Sequence, residues 1–274
     1  MKKNTILVII SVFVIISITR AQELFSYTEP ASNMAVNSLG VRLTENIMNQ
    51  KSASTVNHLL VPEIMFGVSR KIMIHTDGFI SNLNGRFKLN GGSLYLKYRF
   101  FSRDDIHSHF RMAIFTKYAL NNLSVNQPSI DLRGQHSGFE MGLVSTKLIN
   151  KVALSSSVSV INAQNNLNGN TFLLNDNNSR NAINYTFSIG KLMMPKEYVS
   201  YNQTNVNAMV EILGQSNLSS GLNHLDIAPV IQFIIKSKIR VDVGYRIALS
   251  NQLLRKYTEG GMIRLEYNLF NVIR

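Results

Sequence analysis

Along residues 239–249 the chain alternates in character at every step. Ile239, Val241, Val243, Tyr245, Ile247 and Leu249 share one face, and Arg240, Asp242, Gly244 and Arg246 share the other. A period of two is the signature of an extended strand, not of a helix. The same alternation marks twelve segments: 36–47, 58–69, 71–82, 91–101, 106–119, 135–149, 151–164, 181–194, 205–216, 224–236, 238–250 and 260–271. Each holds 11 to 15 residues. Soluble strands average about 5–6 residues, whereas tilted strands of about 9–11 residues cross a bilayer. The pattern predicts a transmembrane antiparallel β-barrel of about twelve strands, apolar towards lipid and polar inside.

The connections follow a second rhythm. Arg70, residues 102–105, Asn150 and Ser237 mark tight turns, while 48–57, 120–134 and the Asn-rich 165–180 read as long polar loops. Only 195–204 is a longish member of the short set. Outer-membrane barrels have short periplasmic turns and longer outside loops, so the even strand number places both termini in the periplasm. Facing follows from phase: Leu94, Leu96 and Tyr98 oppose Tyr95, Lys97 and Arg99, and Ile263, Leu265 and Tyr267 oppose Arg264 and Glu266. Lys147 and Lys191 fall on the lipid side near the turn end, within snorkelling reach of headgroups. Pro229 lies inside a strand, and a bulge is expected there.

The amino-terminal stretch stands apart. Lys2 and Lys3 precede an apolar run over residues 6–18, and Thr19-Arg20-Ala21 offers a cleavage site before Gln22. Residues 1–21 therefore read as a signal peptide, 22–35 as a periplasmic segment and 36–274 as the barrel. The apolar run is too short to span a bilayer as a helix, which needs roughly 20 residues.

Composition narrows the possibilities further. The chain has no cysteine, which excludes a lipid on an amino-terminal Cys, a disulfide and a thiolate metal site. Removal of Lys2, Lys3 and Arg20 with the signal lowers the formal net charge from +12 to +9. Export argues against nucleic acid as the partner of that surplus. Outer-membrane lipid and lipopolysaccharide phosphates, or an anion pathway, remain.

The Ala21-Gln22 signal end, the stretch His107-Ser108-His109-Phe110-Arg111 and the terminal run Arg264-Leu265-Glu266-Tyr267-Asn268 resemble, over nearly the whole chain, those of an uncharacterised family of outer-membrane β-barrel proteins of Bacteroidota. The resemblance implies a barrel in a Gram-negative outer membrane. The last strand, with Gly261, Leu265, Tyr267 and Leu269 in step, is similar to the signal read by barrel-assembly machinery, although the chain continues past Phe270.

By phase, Arg42, Lys97, Arg99, Arg111, Lys117, Arg240, Arg246 and Arg264 point inward, with Asp77, Glu140, Glu211, Asp226, Asp242 and Glu266. Two readings follow. The first is a small channel or transport component with a mildly basic, anion-favouring lumen. The second is a closed barrel, rigid with ion pairs, serving as a scaffold. His107 and His109 share a face and form a weak candidate metal pair, opposed by Arg111; structural hydrogen bonding is the better reading, and no cofactor is expected. A membrane-embedded hydrolase is the third reading. His107-Ser108-His109 and His136-Ser137 are the nearby His/Ser pairs, but adjacent strand residues face opposite sides, so no catalytic residue is assigned.

Overall fold

The computed structural model describes residues 25–49, 56–83, 85–105, 108–125, 127–167, 180–197 and 202–272. The signal-peptide reading and His107 lie outside the described residues. The strands are β1 (Ser38–Asn49), β2 (Val56–Gly67), β3 (Ile72–Ser81), β4 (Lys88–Asp104), β5 (Ser108–Asn121) and β6 (Ser137–Ile149). They continue as β7 (Val152–Gln164), β8 (Asn181–Met194), β9 (Asn205–Asn217), β10 (Asn223–Ile235), β11 (Ile239–Asn251) and β12 (Glu259–Leu269). Every boundary lies within three residues of the period-two prediction. Each strand pairs antiparallel with the next, and β12 returns to β1 with Val41 opposite Tyr267 and Arg42 opposite Glu266. The sheet has no free edge, which is the condition for β-structure to sit in hydrocarbon with its backbone satisfied.

Facing separates the two solvents. Val41, Leu96, Val158, Phe187, Val243 and Leu265 are exposed on the outer surface, while Arg42, Lys97, Glu211, Asp242 and Arg264 are buried within the bore. An apolar exterior around a polar interior makes this an outer-membrane β-barrel. One rim carries the tight turns. In the β10–β11 turn, Lys236 and Ser237 both adopt positive φ and Lys238 N–H donates to Ile235 O (3.1 Å), the conformation whose twist matches a two-residue hairpin.

Three expectations need correction. The register shift in β10 falls between Leu225 and Asp226, not at Pro229. Pro229 faces outward and stays in register with Val210 of β9. Its missing N–H leaves only a gap in the β11 ladder between the Ile227 and Val230 pairs.

The second correction concerns the amino-terminal segment, expected in the periplasm. Residues 25–35 lie inside the barrel, where Phe25, Ser26, Thr28 and Ala31 are buried. A wall of twelve strands encloses more space than its inward side chains fill, and this segment supplies the missing apolar contacts. Phe25 packs with Leu148, Ala153, Met209, Val230, Ile234 and Met262, and Ala31 with Ala113 and Val144. Gly67 allows its exit: a Cβ there would meet Ala35 O at 1.9 Å.

The third is the β5–β6 connection, expected as a long polar loop over 120–134. Leu123, Val125, Ile130 and Leu132 are buried, and the last two pack against Leu59, Phe79 and Ile161 of the inner wall. Its apolar residues, scattered among Asn and Gln, find the apolar inner faces at the loop end of the bore.

Candidate functional site

The bore is the candidate site, and the segment 25–35 crosses it as a strap. The strap makes no strand pairing, so its buried backbone groups need partners from the wall. Glu211 Oε1 accepts Ser26 N–H (2.7 Å) and Tyr27 N–H (3.0 Å), and Oε2 accepts Thr28 N–H (2.9 Å) and the Ser188 hydroxyl (3.2 Å). Ser26 Oγ donates to Asp242 (2.8 Å), and Arg240 donates to Phe25 O (2.6 Å). Thr146 Oγ1 accepts Ala31 N–H (3.0 Å). Lys97, with 0 % exposure, donates to Pro30 O and Ser32 O, both at 2.7 Å. Arg111 donates to Ser32 Oγ and to Asp104 (3.0 Å). Pro30 itself has no N–H to satisfy.

A second layer consists of ion pairs. Arg42 is the hub: its guanidinium contacts Glu29 of the strap (2.9 Å), Glu63 of β2 (3.2 Å) and Glu266 of β12 (2.9 Å). Arg240 pairs with Asp242 (2.8 Å) and more distantly with Glu266 (3.6 Å), and Arg264 reaches Asp242 at 3.7 Å and Thr44 at 3.0 Å. Lys117 pairs with Asp77 at 3.4 Å. Asp226 receives both Arg246 and Arg255, the latter at 2.5 Å. Arg99 lies at the turn end and donates to Arg70 O (2.7 Å). A buried ion pair whose partner is removed leaves an uncompensated charge, so this network binds strap and wall into one unit.

Between the strap and the infolded β5–β6 loop lies a cavity of about 320 Å³. Tyr27, Glu63, Lys117, Glu140, Arg246 and Arg264 are among its lining residues. The two barriers touch where Arg133 of the loop donates to Tyr27 O (3.3 Å). The loop is held by Gln215, which accepts Ile130 N–H (2.8 Å) and donates to Ile130 O (2.7 Å). His136 Nδ1 accepts Asp131 N–H (3.0 Å), and burial pushes this imidazole down from 6.5 to about 4.

Of the fourteen residues read as inward, Arg42, Lys97, Lys117, Glu211, Asp226, Asp242, Arg264 and Glu266 are buried in the bore, and Asp77, Glu140 and Arg246 line its cavity. Arg111 and Arg240 reach the strap, and Arg99 bonds the turn at Arg70. Glu63 and His75 share the same inward phase, and their link (2.7 Å) joins the Arg42 hub. Glu29, Arg133 and Arg255 lie outside strands, where no periodicity assigns a face. His109 is buried on the inner wall. A ligand-capable trio, Glu29, Glu63 and His75, has its donor atoms within 4.8 Å of one another. Arg42 donates to both of its carboxylates, so the charge a cation would meet is already compensated. Ser137 Oγ bonds the backbone of Asn121 and His136 Nδ1 bonds Asp131 N–H, so this adjacent pair is not aligned as nucleophile and base.

No protein-family model matches the chain, and no curated protein matches it in sequence. Several solved structures are similar in form at low sequence identity. The NanC porin shares 10 % identity with a TM-score of 0.47, over 83 % of this chain and 97 % of that one. OmpF of Salmonella typhi, solved with daunomycin, shares 8 % with a TM-score of 0.39, over 85 % and 96 %. Outer membrane phospholipase A from Escherichia coli shares 10 % with a TM-score of 0.41, over 90 % and 94 %.

Proposed function

We propose that the protein is a channel or transport component of the outer membrane whose bore is closed at rest by its own amino-terminal strap. The observation that supports this reading most directly is the cavity of about 320 Å³ between two barriers, each held by side-chain bonds and not by the strand ladder. A barrier built this way can leave without opening the barrel. Its departure would take Glu29 from Arg42 and the Pro30 and Ser32 carbonyls from Lys97. The open bore would then be more positive and favour anions, with Lys97, Arg111 and Arg240 nearest the path. The turn end faces the periplasm in this reading, and outer-membrane lipid and lipopolysaccharide surround the wall. Barrel-assembly machinery would read β12, as in the Bacteroidota barrels that the sequence resembles.

The ion-pair network supports a second reading, a permanently closed scaffold. Planar-bilayer recording separates the two. The native protein is expected to be silent or to flicker, and Glu211→Ala/Gln215→Ala, which removes the acceptor for three strap N–H groups and the side chain that holds Ile130 of the loop, to give stable conductance steps. A folded Glu211→Ala/Gln215→Ala barrel that never conducts would favour the scaffold.

A further inference from the structure

The wall residues that hold the strap contact mainly its backbone. Three successive N–H groups converge on Glu211, two carbonyls converge on the Lys97 ammonium, and Arg240 and Thr146 each take one further main-chain group. Side-chain selectivity is added at a few positions. Phe25 fills an apolar pocket formed by Leu148, Ala153, Met209, Val230, Ile234 and Met262. The next residue presents its hydroxyl to Asp242, Thr28 presents one to Ser188 (3.3 Å), Glu29 meets Arg42, and Ala31 fits against Ala113 and Val144. Donors and acceptors spaced for main-chain groups, with pockets for selected side chains, make a receptor for a polypeptide whose backbone bends so that three successive N–H groups turn towards one carboxylate.

Resting on the transport reading above, we infer that the bore is a peptide-binding site, that the strap occupies it as an internal mimic, and that the cargo class is an oligopeptide that binds bent over Glu211. The preferred ligand carries an aromatic residue followed by a hydroxyl residue, with an acid four positions after the aromatic. Binding of such a peptide displaces the strap, because both use the same acceptors on Glu211 and the same donors on Lys97. A solute without a peptide backbone, such as a sugar, does not reproduce that set of groups.

The test uses the full chain carrying Phe25→Ala and Glu29→Ala, substitutions confined to the strap that leave the wall residues untouched. The probe is a fluorescein-labelled synthetic peptide spanning residues 25–35, read by fluorescence anisotropy in detergent micelles. The double variant is expected to bind it at least tenfold more tightly than the native protein does, whose site is occupied. A scrambled peptide is expected to bind about tenfold more weakly than the true sequence, and Glu211→Gln added to the double variant to weaken binding several-fold. The milder Phe25→Ala variant serves if the double variant fails to give a folded, heat-modifiable barrel. Equal binding of the true and scrambled peptides overturns the peptide site. Binding as expected without conductance in any variant overturns the transport reading and leaves the peptide site standing.

Discussion

Glu211 holds three successive main-chain groups of the strap, since its two oxygens accept the N–H groups of Ser26, Tyr27 and Thr28. It has no exposure, and neither does its neighbour in the strap site, Asp242. Removing a buried acceptor leaves its donors unsatisfied at a cost on the order of 1–3 kcal/mol. Glu211→Ala is therefore expected to release the strap while the hydrogen-bond ladder of the wall stays intact. Hydrogen exchange reads this directly: amides 26–28 should exchange many-fold faster in the variant, and those of β9 should be unchanged. The inward phase of Glu211 was legible from Val210 and Ile212 on the opposite face. Its partners were not, because residues 26–28 lie over 180 positions away and carry no period that would direct them into the bore.

At the scale of the element, the strands were legible because lipid and bore impose opposite demands on successive side chains, and twelve segments repeat that demand. Val243→Arg places a charge on an outward position that is 50 % exposed to lipid and should cost roughly 2–4 kcal/mol. Ser157→Arg on the cavity wall should cost less, and reversed order in lipid-folding titrations would contradict the facing. Gly244, although inward, is a poor site for this comparison, since a Cβ there would meet Val230 Cγ2 at 2.9 Å. The loop between β5 and β6 was misread because its polar residues outnumber the apolar ones that anchor it. His136 is part of that anchoring, and burial favours its neutral form, which accepts Asp131 N–H. Its folded pKa of about 4 lies below the ordinary 6.5, so the contribution is complete above pH 6.5 and is lost as pH falls towards 4. Limited proteolysis of residues 122–136 should therefore accelerate between pH 7 and pH 4.5. A flat profile would show that the imidazole does not hold the loop.

For the whole molecule, closure of β1 on β12 creates a wall, and the strap and loop decide whether that wall encloses a passage. The sequence made the wall visible and left its contents hidden, since neither barrier is periodic. The proposed orientation, with the tight turns in the periplasm, is tested by labelling: a cysteine at Ser220 should label in intact cells and one at Lys236 should not. The placement of the strap is the claim on which every functional statement depends. The chain has no cysteine of its own, so a designed pair reports cleanly. Thr28 Oγ1 and Ser188 Oγ lie 3.3 Å apart across strap and wall. In Thr28→Cys/Ser188→Cys, mild oxidation of the folded barrel should form a disulfide between residues 28 and 188, seen as loss of both free thiols and a cross-linked peptide on mass spectrometry. Two thiols that stay reduced in a folded barrel, with Cys at position 28 open to a bulky maleimide, would show that residues 25–35 do not lie in the bore.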